Sequence, residues 1–346
     1  MRYLGIVAVL FLSACATAGE QPSVDQAQSA LSPDNAASNM HNHDKVSALT
    51  APPNSQQATE PAEQDSLLQR AAFAEAMQDV ADRQMVFDDA SSRVALDGDF
   101  SQGGLVIGQT EPGAAITLDG DAVMVGGDGQ FVFGFGRDHP SSALLVVSLP
   151  DGKVERRGLE IAERDFRIQR IDGLDQSKVS GYTEAQLEKI AADSALKKSA
   201  RAKTHKKPDW EAGFEWPVVG PISGVFGSQR ILNGEPKRPH SGVDVAVPTG
   251  TPIRAPAAGV VRLAEEDMYF EGGLIFLDHG FWLESAFLHL SRIDVEPGQR
   301  VEKGDIIGAV GSTGRSTGPH LHWGMKWVGR GIDPQRLVGD MPGATN

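Results

Sequence analysis

The chain alternates between stretches of short apolar runs and stretches with helical spacing. Between residues 93 and 172, β-branched and aromatic residues form short runs, at 103–108, 115–118, 122–125, 131–133 and 143–148. Turn residues separate these runs, and Asp119-Gly120 and Asp151-Gly152 are typical hairpin turns. Regularly spaced short strands of this kind predict a small Ig-like β domain over residues 93–172.

A second β-rich stretch covers residues 210–340, where glycine and proline separate the apolar runs. Gly242 and Pro248 oppose a helix in the segment that follows His240. We therefore expect His240 and Asp244 to lie on a loop that enters a strand, and not one turn apart on a helix. The predicted fold class is mainly β, with an antiparallel β-sheet domain at the C-terminal end, the Ig-like domain before it, and helical linkers.

Two segments have helical spacing. In residues 66–90, apolar side chains recur at roughly three- and four-residue steps, which predicts an amphipathic helix. Residues 173–209 begin as a second helix, in which Thr183 can cap the good helix formers of Glu184–Ala200. This linker ends in a run of lysines and arginines. The run predicts either a solvated linker or a contact with an anionic polymer or with the acidic remainder of the protein.

The first residues have the pattern of a leader. Residues 1–15 combine a basic start with an apolar run that is too short to span a bilayer, as in a signal peptide. Leu12-Ser13-Ala14-Cys15 resembles a bacterial lipobox, in which Cys15 receives lipid and anchors the protein to the membrane. Because Ala16 follows the cysteine, the resemblance implies the outer membrane, facing the periplasm. A secreted periplasmic protein with a chance cysteine is the alternative.

Composition narrows the functional classes. The formal net charge of -14 and the pI near 5.1 argue against a protein that binds nucleic acid. Residues 16–65 are rich in Ser, Gln, Asn, Ala and Pro, which predicts a disordered tether. Cys15 is the only cysteine, so no disulfide can form within the chain.

Histidines and one carboxylate form the most informative chemical pattern. His240 precedes Asp244 by four residues, and His320 and His322 form a His-x-His pair further on. Residues i and i+2 of a strand point to one face, so His320 and His322 should project into the same groove. Two histidines and a carboxylate are a ligand set for catalytic zinc, which leaves a fourth position to water. One member of the His-x-His pair can hold metal while the other stays available for chemistry.

Residues from 216 to about 338 resemble the M23 (LytM/lysostaphin-type) zinc metallopeptidases, which cut peptidoglycan cross-links. The segments that carry the resemblance are His240-x-x-x-Asp244, 245–261, Leu277-Asp-His-Gly280, Phe287-Leu-His-Leu-Ser291, 295–308 and Gly311-Ser-Thr-Gly-Arg-Ser-Thr-Gly-Pro-His-Leu-His-Trp323. The resemblance implies that His240, Asp244 and His322 hold one zinc ion. It implies that His289 and His320 are the catalytic histidines, and it leaves their individual roles open.

The stretch 304–308 also resembles the barrel-sandwich hybrid of biotinyl and lipoyl carriers. Lys303 does not have the context of an attachment lysine, so we reject a carrier function and keep the similarity in shape. The predicted role of the Ig-like domain is that of a spacer or docking module. We expect His279 to be structural and His205 to have no role in the site.

The resemblance implies a zinc-dependent endopeptidase that hydrolyses peptidoglycan stem-peptide cross-links. A catalytically silent wall-binding protein or amidase activator of the M23 type is the alternative, and a structural lipoprotein spacer is a third class. The intact ligand and histidine set favours the enzyme. A membrane-anchored Gram-negative enzyme suggests cleavage of D-alanyl–diaminopimelate cross-links, with a glycine bridge as the alternative. The resemblance leaves any divisome or amidase partner open.

A long polar segment, residues 228–239, precedes His240. It departs from the simplest members of the family and could shape or cover the groove. Our hypothesis is that Asn233 or Glu235 occupies the open zinc position and keeps the enzyme latent.

Overall fold

The computed structural model of the chain describes residues 92–172 and 181–342, which belong to one compact unit. The predicted signal peptide with Cys15, the tether and the helix over residues 66–90 lie outside the described residues. Within the described ranges, no helix combines the length and the apolar character needed to cross a membrane.

The first part of the described chain is a sandwich of seven strands. They are β1 (Ala95–Gly98), β2 (Leu105–Gln109), β3 (Ala115–Leu118), β4 (Asp121–Val123), β5 (Gln130–Gly134), β6 (Ser142–Ser148) and β7 (Val154–Glu160). One antiparallel sheet has the order β1-β2-β5 and the other the order β4-β3-β6-β7. This is an Ig-like arrangement in which β4 pairs with β3, whereas the constant-type domain pairs its fourth strand with its fifth.

Aromatic side chains fill the sandwich. Phe131 and Phe133 of β5 are fully buried, with ring centroids 6.1 Å apart. Gly108 of β2 faces Phe131 so closely that a Cβ atom at this glycine would lie 2.1 Å from the ring. Burial of each phenylalanine stabilises the domain by about 1.5–3 kcal/mol. The apolar runs that predicted the strands are therefore also the runs that form the core.

The C-terminal part of the described chain contains fourteen further strands and two helices. In chain order they are β8 (Ile168–Ile171), α1 (Glu184–Ala200), β9 (Ile222–Gly224), β10 (Gln229–Leu232), β11 (Glu235–Pro236), β12 (Gly242–Val245), β13 (Pro252–Arg254), β14 (Gly259–Met268), β15 (Gly272–Asp278), β16 (Leu283–Leu290), β17 (Arg292–Ile293), β18 (Arg300–Val301), β19 (Ile306–Ala309), β20 (Leu321–Trp327), β21 (Arg330–Ile332) and α2 (Gln335–Val338). The main sheet has eight strands in the order β18-β14-β15-β16-β20-β12-β9, with β21 paired to β20. A three-stranded sheet, β13-β19-β17, shares its apolar core. The mainly β fold class and the antiparallel C-terminal sheet are confirmed.

The main sheet has an apolar inner face and a chemically varied outer face. Val243, Phe287 and Trp323 point inward and are fully buried, in a core that continues into the sandwich. Because side chains alternate along a strand, the neighbours Asp244 and His322 point to the outer face. The same alternation therefore separates the residues that hold the fold from those that carry chemistry.

Helix α1 lies on the outer face of this sheet. Its start is capped as predicted, because the Thr183 hydroxyl accepts from the N–H of Gln186 and the Gln186 side chain accepts from the Thr183 N–H. Lys197 pairs with Glu271, and Arg201 pairs with Glu284 in the sheet. The predicted helix is confirmed, and the basic run contacts acidic groups of the same protein.

Residues 228–239 form a hairpin and not an irregular loop. Strands β10 and β11 pair with each other, and β10 also pairs in parallel with β8, where Ile231 lies opposite Arg170. β8 follows the sandwich in the chain but pairs outside it. Sequence patterns did not reveal this pairing, because the two partner strands are far apart in sequence and each is short.

A buried polar network lies behind the main sheet. His279 is fully buried, donates from Nδ1 to the carbonyl of Ala258 at 2.7 Å, and lies 2.8 Å from Ser285 Oγ through Nε2. The indole N–H of Trp323 donates to the same Ser285 Oγ at 3.2 Å. Burial lowers the pKa of His279 to about 4, so this histidine is neutral at neutral pH. Its position is that of a structural residue.

We expect this histidine to make the fold sensitive to acid. Its folded pKa lies below the ordinary value of 6.5, so the unfolded chain binds the proton more readily. The free energy of unfolding should therefore fall as the pH drops from about 6.5 to about 4, by at most about 3 kcal/mol from this residue. Urea unfolding at several pH values measures the slope. A His279→Gln variant should have a shallower slope in this interval, and an unchanged slope would contradict the assignment.

Candidate functional site

Three side chains converge on the outer face of the main sheet. His240, Asp244 and His322 form a group whose ligand atoms all lie within 4.8 Å of one another. His240 Nε2 is 3.0 Å from Asp244 Oδ1 and 3.0 Å from His322 Nδ1. His322 Nδ1 is 2.9 Å from the same Asp244 oxygen. The three donor atoms therefore form a nearly equilateral triangle.

Strand pairing creates this group. β12 and β20 are antiparallel, and their register places Asp244 directly opposite His322. On the other side of β20, β16 places Leu288 opposite His322. Gly242 lets the two strands approach, since a Cβ atom there would lie 2.2 Å from the carbonyl oxygen of Trp323. His240 precedes β12, as expected for a residue on a loop that enters a strand.

Hydrogen bonds to the rings select the nitrogen that each histidine presents. His240 donates from Nδ1 to the carbonyl of Val225 at 2.9 Å, which leaves Nε2 as the donor to a metal. His322 presents Nδ1, while its Nε2 lies 3.4 Å from Ser241 Oγ. The backbone of the hairpin segment helps to hold His240, because His240 N–H donates to the Ser228 carbonyl at 2.8 Å.

The arrangement fits a zinc ion. Zn–N and Zn–O bonds of about 2.0–2.1 Å around a tetrahedral ion place the donor atoms about 3.3 Å apart. The separations of 2.9–3.0 Å between the three donor atoms are within a few tenths of an ångström of this value. Two neutral imidazole nitrogens and one carboxylate oxygen are a donor set typical of catalytic zinc, and three protein ligands leave one position for water.

The electrostatics keep the donor atoms of Asp244 and His322 unprotonated, as a metal needs. Burial would lower the pKa of His240, but its hydrogen bonds and the charge of Asp244 together outweigh burial and raise this pKa. Burial alone would raise the pKa of Asp244, but hydrogen bonds from His240 and His322 hold this pKa far below its usual range. Burial lowers the pKa of His322, which is only 7% exposed. Asp244 is therefore a carboxylate at neutral pH, and His322 favours the neutral form that can bind a metal.

His320 and His289 stand beside this group. The Nε2 atom of His320 is 3.9 Å from Asp244 Oδ1, and its Nδ1 donates to the carbonyl of Gly318 at 2.8 Å. The rings of His289 and His320 have centroids 4.8 Å apart. The structure therefore brings all five predicted site residues of the C-terminal domain together.

His289 adopts a strained backbone conformation. Its φ of 67° lies in the left-handed region, which costs a non-glycine residue on the order of 1–3 kcal/mol. Its N–H donates to the carbonyl of Glu271, and its ring Nδ1 donates to the carbonyl of Thr313 at 2.8 Å. Burial lowers the pKa of His289 to about 4. The contacts fix the ring beside His320, and burial keeps it neutral.

The other histidines of the described residues lie elsewhere. His279 is in the buried network behind the sheet, and His139 of the sandwich lies 3.2 Å from an Asp119 oxygen. His205 lies 3.4 Å from an Asp209 oxygen, in the polar contacts that fasten the segment after α1. Sequence patterns missed this role of His205, because its partner network is assembled only by tertiary contacts.

Glu235 does not lie in the ligand group, although direct ligation by this residue would require it. Glu235 binds Lys237 at 2.8 Å, and it is not among the clustered metal-binding side chains. Asn233 lies at the turn of the β10–β11 hairpin, with a φ of 49°. Sequence reasoning also missed the backbone carbonyls of Val225, Gly318 and Thr313, since a carbonyl has no signature in the sequence.

Comparisons with known proteins agree with this geometry. The sequence profile of Peptidase family M23 matches residues 238–334. Peptidoglycan DD-endopeptidase ShyA of Vibrio cholerae is 41% identical over 117 residues, which are 33% of this chain and 27% of ShyA. DD-carboxypeptidase/endopeptidase Mpg of Neisseria meningitidis is 39% identical over 124 residues, which are 36% of this chain and 28% of Mpg. The aligned segment thus spans less than a third of each curated relative.

A solved structure matches more of the chain. A Pseudomonas aeruginosa protein assigned to peptidase M23 superposes with a TM-score of 0.55 and is 30% identical. The match covers 70% of this chain and 96% of the solved chain. The similarity therefore extends beyond the segment that the family profile covers.

We expect substitution of His322 by alanine to abolish stoichiometric zinc binding, because it removes one of three protein ligands. Metal analysis of the purified, zinc-treated protein measures the stoichiometry. His205→Ala is the matched control, because His205 lies outside the ligand group and should leave zinc content unchanged. Full zinc content in the His322 variant would show that the ligand assignment is wrong.

Proposed function

The chain belongs to peptidase family M23, and from that premise we propose that it is a zinc-dependent endopeptidase that hydrolyses the peptide cross-links of peptidoglycan. The observation that carries the proposal is the convergence of a zinc-type ligand group and two further histidines on one face of the sheet. A protein that only binds the wall does not require two further histidines beside the ligand group with their Nδ1 atoms hydrogen-bonded to backbone carbonyls.

The names of the relatives support a choice of substrate. ShyA is a peptidoglycan DD-endopeptidase, and Mpg is a DD-carboxypeptidase/endopeptidase. The family match over residues 238–334 contains the whole candidate site of this chain. We therefore favour D-alanyl–diaminopimelate cross-links over glycine bridges as the bond that is cut.

His240, Asp244 and His322 would hold the zinc ion. When bound, zinc supplies a Lewis acid and lowers the pKa of a coordinated water towards neutrality. The remaining chemistry belongs to the side chains of the chain, which must accept a proton from water and deliver one to the amine that leaves.

His320 is the better placed proton acceptor. Its Nδ1–H is engaged by the Gly318 carbonyl, so the free lone pair is on Nε2, which lies 3.9 Å from Asp244 Oδ1 in the ligand group. In this position Nε2 can accept a proton from water and later donate it to the leaving amine. The single carbonyl contact thus fixes both the tautomer and the direction of the ring.

His289 assists as a neutral partner. Its low pKa of about 4 keeps the ring uncharged at neutral pH. Two imidazolium rings with centroids 4.8 Å apart would repel each other, so one neutral ring favours protonation of the other. We assign His289 the role of supporting the proton that His320 carries.

We also propose that Cys15 anchors the protein by lipid in the cell envelope. The support is the lipobox-like sequence at residues 12–15. Expression of the chain in a Gram-negative host with a labelled fatty acid tests this proposal. The wild type should incorporate the label and Cys15→Ser should not. Equal labelling of the two proteins would refute the anchor.

Digestion of cross-linked peptidoglycan tests the function. The purified, zinc-loaded protein should convert cross-linked muropeptide dimers to monomers, and mass spectrometry of the products identifies the bond. A chelator should abolish the reaction, and zinc should restore it. Zinc-loaded protein that leaves all cross-links intact would contradict the proposal.

His320→Ala should retain stoichiometric zinc and lose about 10²- to 10⁴-fold in kcat, the range for loss of a general acid–base group. Zinc content and dimer cleavage are measured on the same preparation. His205→Ala is again the control, and it should match the wild type in both measurements. Wild-type turnover by the His320 variant would remove this residue from the mechanism.

A further inference from the structure

Lys326 lies on the same face of β20 as the site. Along this strand, Leu321, Trp323, Met325 and Trp327 point into the core and are buried. The alternate residues His322, Gly324 and Lys326 therefore share the outer face. Four residues of strand separate the backbone of Lys326 from that of His322 by about 13 Å, and a lysine side chain can shorten this distance.

Small residues form the floor between the metal group and this lysine. Gly324 lies between His322 and Lys326, and its cross-strand partner on β16 is Ala286. A Cβ atom at Gly324 would come within 3.4 Å of His322 Nε2, so a side chain here would crowd the site. Glycine and alanine therefore place no bulky side chain on this part of the outer face, which leaves room for an extended peptide.

Lys326 has no close carboxylate partner within the described ranges. It is only partly exposed, and among residues 92–172 and 181–342 its ammonium makes no hydrogen bond and no ion pair within 4.0 Å. Its cross-strand neighbour is Glu284, but Glu284 is paired with Arg201. Burial lowers the pKa of Lys326, and the charge of Arg201 adds to this effect.

The surroundings of Lys326 carry an excess of positive charge. Arg201, Arg238 and Lys197 all act on its ammonium with the same sign. Arg201 is paired with Glu284 and Lys197 with Glu271, whereas Arg238 makes no ion pair within 4.0 Å among the described residues. Such an excess is unusual in a chain with a formal net charge of -14. A partly buried ammonium without a counter-ion is costly for the folded protein. A bound anion would remove the cost.

We propose that Lys326 forms a carboxylate-binding subsite at the end of the substrate groove, with Arg238 adding to its positive field. The subsite recognises a free carboxylate on the peptide close to the bond that is cut. This inference rests on the proposed function, because it assumes a peptide substrate at the metal group. Lys326 is a specificity-determining residue in this proposal and takes no part in bond cleavage.

Binding of the amine-side cleavage product tests the subsite without turnover. The probe is a diaminopimelate-containing peptide, prepared with the carboxylate next to its free amine either free or amidated. Calorimetry on the zinc-loaded full chain measures its affinity. We expect the wild type to bind the free acid about ten- to a hundredfold more tightly than the amide, as for a charge-assisted contact.

The variants isolate the charge. Lys326→Met keeps the length of the side chain and should bind both probes equally, with the affinity of the amide. Lys326→Arg should restore the preference for the free acid. Lys198→Met is the matched control, because Lys198 is an exposed lysine of α1, and it should behave as the wild type. Thermal unfolding should show that Lys326→Met is at least as stable as the wild type, since it removes a charge without a partner.

Two results would overturn the subsite: equal binding of the two probes by the wild type, or a preference that persists in Lys326→Met. Cleavage of the D-alanyl–diaminopimelate dimer is measured separately on the same proteins. Dimers left intact by a wild type that still prefers the free acid would count against the proposed hydrolase and support the subsite. Cleavage of the dimers by a wild type that binds both probes equally would support the hydrolase and count against the subsite.

Discussion

The register between β12 and β20 is the constraint on which the site depends. It places Asp244 opposite His322 and turns both to the outer face, while Val243 and Trp323 turn inward. A shift of one residue would bury the ligands and expose the core side chains. Because the inner face is mostly apolar, the free energy of core burial resists such a shift. The geometry of the chemical face is therefore maintained by the hydrophobic face behind it.

The outer face is divided between chemistry and support. One part carries the ligand group, and another is covered by α1 and the segment that follows it. Contacts such as Lys197 with Glu271 and Arg201 with Glu284 fasten this cover. Arg201 also stacks over the Phe276 ring, with its guanidinium carbon 3.9 Å from the ring centroid. The cover thus limits the groove to the strands near the metal group and brings positive charge to its border.

The sandwich is joined to the C-terminal domain by more than the chain. Arg137 of the sandwich donates to the carbonyl of Gly227 at 2.7 Å, and Gly227 N–H donates to the carbonyl of His240 at 2.9 Å. Arg164 pairs with the buried Asp333 at 2.8 Å. A cavity of about 400 Å³ lies between residues 136–139 and 239–241. The sandwich therefore contributes to the surroundings of a metal ligand, which goes beyond the predicted role of a spacer.

Local patterns in the sequence determined a large part of this protein. The period of two in His320-x-His322, the hairpin turns of the sandwich and the cap at Thr183 depend on neighbours within a few residues, so they could be predicted. The zinc ligands were implied by the resemblance to the M23 family, which rests on a motif of fixed residue types in a fixed order. Tertiary structure decided the parallel pairing of β8 with β10, the left-handed backbone of His289 and the surroundings of Lys326. These features arise when segments far apart in the chain are brought together, and burial, strain and the pairing of charges exist only after that has happened.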